Sequence, residues 1–186
     1  MTLQVIDNFL PQEEFLKIKK IMIGSLNLSD RDALPWYIQN TKSGSGIFLR
    51  VNGDNDTVYN YQFNHIFYAL SDNNVHISDR IEVMYPISEK LRFKKPLRIK
   101  ANLTPITPKL IVYGFHTDFE LRNIEPMPKT AIYYVNTNNG YTVFENGDKV
   151  ESIENRICIF DENLRHSGTS CTDERFRCVI NFNFVM

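Results

Sequence analysis

The pattern of apolar and polar positions divides the chain into a mixed first half and a strand-rich second half. Thr2 to Phe9 reads as a short strand that stops at Leu10-Pro11. Phe15, Ile18 and Met22 then recur at helical spacing with Lys17, Lys19 and Lys20 beside them, which predicts a helix from Pro11 that Gly24 and Ser25 end. Pro11 suits the first turn, where its missing N–H would have no partner in any case. Glu13 and Glu14 put negative charge at the positive end of that helix. A second, shorter helix is predicted over Pro86 to Phe93, with Ile87 and Leu91 facing inward.

From residue 97 onward, short apolar runs follow one another with turn residues between them. Leu97–Leu103, Leu110–Phe115, Thr130–Val135, Tyr141–Phe144, Arg156–Phe160 and Arg175–Val185 are the predicted strands. Asn138-Asn139-Gly140 and Asn146-Gly147-Asp148 are the predicted turns, since Asn-Gly between apolar runs is a strong hairpin signal. Many short strands at regular intervals imply a sandwich or barrel, with the N-terminal helices packed on its outer face. Residues 26–60 are less regular. Trp36, Tyr37 and the run Ser43-Gly44-Ser45-Gly46 before Ile47-Phe48-Leu49 read as a loop leading into a strand, and Tyr59 to Leu70 fits either strand or helix. With no repeat, low-complexity tract or linker, residues 1–186 are expected to form a single domain, in which about 1–96 support a core carried by 97–186.

Composition changes this picture only at its margins. The 186 residues are enough for a sizeable core, and 13 Phe and 9 Tyr favour a β-rich one. Lys plus Arg is 21 against 22 Asp plus Glu, a net charge of −1, which argues against a dedicated nucleic-acid binder. Cys158, Cys171 and Cys178 lack both disulfide-framework and zinc-finger spacing and read as small buried hydrophobes. There is no basic segment followed by a long apolar run at the start and no stretch long enough to span a bilayer, so a reducing, cytoplasmic setting without membrane contact is expected.

The candidate chemistry lies in His116-Thr117-Asp118, followed 50 residues later by His166 and then by Arg177. On a strand, residues i and i+2 share a face, so His116 and Asp118 would aim an imidazole and a carboxylate at one point. A second imidazole from a distant strand would complete two histidines and a carboxylate on one side of a metal, a set that suits Fe(II) because the other coordination positions stay open. Ligating histidines must be neutral, so acidification below their reference pKa of about 6.5 should weaken such a site. Arg177 could hold the far carboxylate of a co-substrate, although Arg175, two residues away, could point the same way; Arg177 is preferred because the apolar run begins directly after it. His65 and His76 have no partner pattern and read as structural or exposed, and Trp36 and Tyr37 as core residues sooner than as a cover for the site.

These residues resemble the Fe(II)/2-oxoglutarate-dependent oxygenases, whose pattern is HxD, a distal histidine, and an arginine or lysine about ten residues further on. The resemblance extends along the last ninety or so residues in the same order. Ala131-Ile132-Tyr133-Tyr134-Val135-Asn136, Gly140-Tyr141-Thr142-Val143-Phe144, Asn155-Arg156-Ile157-Cys158-Ile159-Phe160 and Arg177-Cys178-Val179-Ile180-Asn181-Phe182 are each similar to successive strands of the prolyl hydroxylases of that family. The resemblance implies a mainly β fold with N-terminal helices and a double-stranded β-helix (jelly-roll) core. It implies that His116, Asp118 and His166 bind Fe(II), that Arg177 pairs with 2-oxoglutarate, and that Tyr134 and Thr142 line the same pocket. It further implies hydroxylation of a substrate C–H bond with dioxygen and decarboxylation of 2-oxoglutarate to succinate, most simply on a prolyl residue of a protein or peptide. The same chemistry on a small molecule, another side chain or an alkylated base, and a non-catalytic jelly-roll metal-binding module, are the alternatives. Prolyl hydroxylases place a tyrosine shortly before the HxD; here Leu103-Thr104-Pro105-Ile106-Thr107-Pro108 intervenes, and Asn102 is the candidate for that polar role.

Overall fold

Strands form largely where the apolar runs predict them, and the computed structural model, which describes residues 3–24, 34–39, 56–71, 74–118 and 125–186, joins them into two antiparallel sheets. In chain order the described elements are β1 (Gln4–Ile6), α1 (Gln12–Ile23), β2 (Tyr37–Gln39), β3 (Gln62–Leu70), β4 (Val75–Ile77), α2 (Tyr85–Leu91), β5 (Lys95–Pro105), β6 (Lys129–Tyr134), β7 (Tyr141–Phe144), β8 (Lys149–Glu151), β9 (Arg156–Asp161), β10 (His166–Gly168) and β11 (Phe176–Val185), with 3-10 turns at Asp56–Tyr59 and Ile81–Met84. The larger sheet runs β1-β9-β6-β11-β5-β3-β2, with β4 added on β3; the smaller runs β10-β7-β8. This is the jelly-roll arrangement with N-terminal helical support.

The two faces of the larger sheet bury different sets of side chains, as the period of two requires. Ala131 and Tyr133 of β6, Cys178, Ile180, Phe182 and Phe184 of β11, and Ile99 and Ala101 of β5 pack beneath the helices. Phe15, Ile18 and Met22 of α1 and Ile87 and Leu91 of α2 complete that core, as their spacing predicts. Burying a side chain of this size contributes about 1.5–3 kcal/mol. Ile132, Tyr134 and Val179 point the other way and meet Phe144, Val150, Cys158, Phe160 and Leu164 between the sheets. All three cysteines are buried and free, and no described helix is long and apolar enough to cross a membrane.

Besides the β1–β9 pairing, one buried side chain fastens the N-terminal segment to the sandwich. Asn155 adopts φ 59°, a left-handed conformation that asparagine tolerates better than most residues. Its Oδ1 accepts the Leu10 N–H and the Tyr133 hydroxyl, both at 2.9 Å, and its Nδ2 donates to the Leu10 carbonyl at 2.8 Å. Asn155→Ala strips partners from three buried groups at once. It is expected to destabilise the fold by at least about 1–3 kcal/mol, read as a lowered midpoint in urea at unchanged m-value.

Several expectations need correction. Leu110–Phe115 does not form a regular strand. Pro105 and Pro108 interrupt the chain just before it, and its partner β10 is only three residues long, so pairing reduces to isolated bridges at Val112–Thr169 and His116–His166. His166-Ser167-Gly168-Thr169, a small polar run that reads as a turn, instead supplies β10, with His166, Ser167 and Gly168 paired to Phe144, Val143 and Thr142 of β7. Pro11 caps α1 from just outside instead of opening it. Tyr59–Leu70 resolves into a strand over Gln62–Leu70. The loop around Asn146-Gly147-Asp148 is as predicted, with Gly147 at φ 94°, where a side chain would be strained. Trp36 packs against the helical core, whereas Tyr37 is exposed and stacks on His65 with ring centroids 6.3 Å apart. His65 is buried and held by the Pro35 carbonyl and Ser78 Oγ, and His76 is exposed. The Ser43–Gly46 run and the strand predicted after it lie outside the described residues.

Candidate metal centre

A direct backbone pairing brings the two histidines together. His116 N–H donates to the His166 carbonyl at 2.9 Å and His166 N–H returns the bond at 3.0 Å. Residues that exchange both bonds sit directly opposite each other, and the imidazole centroids are 4.9 Å apart. Each ring is turned by the same device. His116 Nδ1 lies 3.0 Å from the Gly114 carbonyl and His166 Nδ1 lies 3.3 Å from the Leu164 carbonyl. A carbonyl only accepts, so each Nδ1 carries the proton and each Nε2 keeps its lone pair for a metal.

Asp118 completes the cluster. Its Oδ1 is 3.7 Å from His116 Nε2, and one donor atom from each of His116, Asp118 and His166 lies within 4.8 Å of the others. Arg98 Nη2 reaches the same Oδ1 at 3.0 Å. Asn181 and Asn183 donate to Oδ2 at 3.2 and 3.0 Å. Burial alone would raise the Asp118 pKa, but Arg98, the two imidazoles and the Asn183 bond outweigh it and hold the carboxyl well below the usual carboxylate range. Burial pushes the His166 pKa down, against the pull of Asp118, which favours the neutral form that ligates. Asn183 Nδ2 also meets Thr130 Oγ1 and Glu162 Oε2, both at 3.0 Å, and the Thr130 hydroxyl donates to Glu162. The Asp118 carboxylate is thus anchored through Asn183 to a second, fully buried one, Glu162.

The cluster opens on a cavity of about 140 Å³ between the sheets. Arg177 lies in its wall, 4 % exposed, while Arg175 is on the surface. Arg177 Nε donates to Ser152 Oγ at 2.7 Å and Nη2 to Thr142 Oγ1 at 3.0 Å. The backbone leaves room for it: a Cβ on Gly140 would stand 2.7 Å from Arg177 Cδ and 2.6 Å from the Ser170 carbonyl oxygen. Among the described residues no carboxylate pairs with Arg177, and burial lowers its pKa. A buried guanidinium resting on neutral hydroxyls has an unmet demand for an anion. Thr142 also lines the cavity and accepts a bond from Tyr134 at 2.9 Å. With both lone pairs engaged by Tyr134 and Arg177, its own hydroxyl hydrogen is available to a ligand. Tyr134 does not line the cavity; its ring lies under Arg177, 5.6 Å from Cζ.

Other wall residues escaped the sequence reading. β5 presents Arg98, Lys100, Asn102 and Thr104 to the cavity, and β2 and β3 add Gln39 and Gln62. Among the described residues, the carbonyl oxygens of Asn102 and Asn181 are buried without a hydrogen-bond partner. The alternation of polar residues in Arg98-Ile99-Lys100-Ala101-Asn102 was a visible signal, as were Asn181 and Asn183 inside an otherwise apolar strand.

No family model and no curated protein matches the sequence. Solved structures do match its fold along nearly its full length. A 2OG-Fe(II) oxygenase family oxidoreductase from Burkholderia pseudomallei superposes with a TM-score of 0.61 at 8 % identity, covering 98 % of this chain and 84 % of that one. The viral collagen prolyl hydroxylase of Paramecium Bursaria Chlorella virus-1, in its 2OG complex, gives 0.55 at 14 % identity, covering 100 % and 97 %. A Trichoplax adhaerens prolyl hydroxylase in complex with a hypoxia inducible factor peptide fragment gives 0.54 at 15 % identity, covering 98 % and 83 %. The chain therefore has the double-stranded β-helix fold of the 2OG-Fe(II) oxygenases, with their His-X-Asp…His arrangement present at His116, Asp118 and His166.

Proposed function

We propose that this chain is an Fe(II)/2-oxoglutarate-dependent dioxygenase in which His116, Asp118 and His166 hold the ferrous ion and Arg177 receives the distal carboxylate of 2-oxoglutarate. One observation carries the proposal: a buried guanidinium with no acidic partner among the described residues shares a cavity with a two-histidine, one-carboxylate cluster. The donor set fits Fe(II), since two imidazoles and one carboxylate gathered on one side leave the cavity side of the ion open. Arg177 stands four residues before Asn181, whose amide holds Asp118. That is about 13 Å of strand, a span that an arginine side chain and a five-carbon dicarboxylate fill together.

The residues then divide the work. Arg177 and the Thr142 hydroxyl bind the distal carboxylate, a role that suits a rigid donor fork. Tyr134 supports both from beneath and is a positioning residue. Asn181 and Asn183 orient Asp118, and the Nδ1–carbonyl contacts orient the imidazoles. When bound, iron with 2-oxoglutarate and dioxygen supplies the oxidising power, yielding succinate, CO2 and a hydroxylated substrate C–H bond; the protein provides position and exclusion of water.

A prolyl residue of a protein or peptide is the substrate in this proposal. It is supported by the likeness of Ile132-Tyr133-Tyr134-Val135-Asn136 to a prolyl hydroxylase strand and by the prolyl hydroxylases, one holding a peptide, among the structures of the same fold. A cytoplasmic setting belongs to the same reading and agrees with three free cysteines. The test mixes purified protein anaerobically with Fe(II) and 2-oxoglutarate. A metal-to-ligand charge-transfer absorption is expected, then succinate on admitting air and a one-oxygen mass gain on a proline-containing peptide array. Absence of the absorption would leave only a metal-binding module.

Asn181 supplies a graded check. Among the described residues its amide nitrogen bonds only to Asp118 and its carbonyl oxygen has no partner, so Asn181→Ala should spare the fold. It is expected to weaken Fe(II) binding about tenfold, the lower end for an outer partner of a metal ligand, in an anaerobic titration.

A further inference from the structure

Strand register orders the cavity wall. Thr104 of β5 lies opposite Arg177, Asn102 opposite Val179, Lys100 opposite Asn181 and Arg98 opposite Asn183. The Thr104 end is therefore the Arg177 end, and Lys100 and Arg98 flank the triad. Arg98 is engaged, with Asp118 Oδ1 at 3.0 Å and Asn183 Oδ1 at 3.1 Å. Lys100 is different. Its Nζ meets a neutral amide oxygen, Gln39 Oε1, at 2.9 Å, and no carboxylate pairs with it among the described residues. That oxygen also accepts Gln62 Nε2 at 3.2 Å and Asn64 Nδ2 at 3.0 Å. One amide oxygen has two lone pairs, so three donors converge on an acceptor with room for two. The shelf formed by Lys100, Gln62 and Asn64 has more donors than acceptors.

Charge points the same way. A ferrous ion and the 2-oxoglutarate dianion cancel each other. The described wall is then left with Arg98, Lys100 and Arg177 against the single carboxylate of Asp118. From this surplus of donors and positive charge beside the triad we infer that the primary substrate carries a carboxylate close to the carbon to be oxidised, and that Lys100, with Gln62, receives it. This rests on the oxygenase reading and narrows its substrate. Burial and the nearby Arg98 charge lower the Lys100 pKa to about 8 against the pull of Asp118, so the ammonium is still mostly charged at neutral pH and an anion beside it would relieve the cost of its burial. The unmet carbonyls of Asn102 and Asn181 lie on the same wall and would take donor groups, not the anion. The carboxylate can be the free terminus of a small amino-acid derivative or the side chain of an acidic residue beside the target in a peptide.

The test uses binding, not turnover. Holoprotein with Fe(II) and 2-oxoglutarate is titrated anaerobically with three probe series, and perturbation of the charge-transfer band is followed. The series are N-acetyl amino acids, the matching N-acetyl amides, and the amides extended by one aspartate. Probes with a carboxylate are expected to bind about tenfold or more tightly than neutral ones, as a charge-assisted hydrogen bond at a partly buried site allows. The preference should collapse in Lys100→Gln and persist in Lys100→Arg. The first series winning identifies a small acid, the third an acidic peptide. Equal binding of all series, or no binding by any, overturns the inference while the band itself keeps the oxygenase reading. Lys100→Gln that raises the 2-oxoglutarate requirement but keeps probe selectivity assigns the lysine to the co-substrate and also overturns it. If no band forms in the wild type, both readings fall.

Discussion

Replacing His166 with alanine is expected to abolish the Fe(II)–2-oxoglutarate charge-transfer band and to lower succinate formation by more than about a hundredfold, since loss of an outer partner alone costs 10–100-fold. The imidazole is one of two nitrogens in a three-donor cluster, and no other histidine pairs with this cavity wall among the described residues. His166 is 2 % exposed and packs edge-on against Phe160 at 4.9 Å, so alanine also leaves a hole in the inter-sheet core. His166→Gln separates the two effects. It keeps most of the volume and should restore thermal stability without restoring the band. A folded His166→Gln protein with a wild-type band would remove His166 from the metal site.

Arg177→Met is expected to leave Fe(II) binding near wild type and to weaken 2-oxoglutarate binding by about 2–5 kcal/mol, roughly thirtyfold to several thousandfold. The stem stays and only the guanidinium goes. In the ligand-free protein that group is a buried cation without an acidic partner among the described residues, so its removal should leave the unfolding midpoint unchanged or higher. Lower affinity for co-substrate together with undiminished stability is the signature of a group kept for binding. Arg175→Met, on the exposed residue two positions earlier, is the control and should change neither quantity.

The parts of the site legible in the sequence were those whose spacing is set by backbone geometry. β7 was read to the residue, because Tyr141–Phe144 sits between two asparagine-glycine pairs, although only Asn146-Gly147-Asp148 closes a hairpin, β7 to β8, while Asn138-Asn139-Gly140 leads from one sheet to the other. The histidines, Asp118 and Arg177 stood out through their order and spacing, and the structure brings all four to one cavity. Arg98, Lys100 and Gln39 could not be assigned to the site from the sequence, although the alternation that carries the first two is visible in it. Polar residues alternating with Leu97, Ile99 and Ala101 look like the solvated face of an antiparallel strand. Only the second sheet, folded over that face, makes it a lined cavity. The expected i, i+2 convergence of His116 and Asp118 on a regular strand was also not how the structure works. His116 is placed by its bridge to His166, and Asp118 by donors from β5 and β11.

Asp118 is held by Arg98 of β5 and by Asn181 and Asn183 of β11, two strands that pair with each other. The acidic member of the cluster is thereby fixed by the sheet, so sequence drift beside Asp118 can proceed without moving its carboxylate.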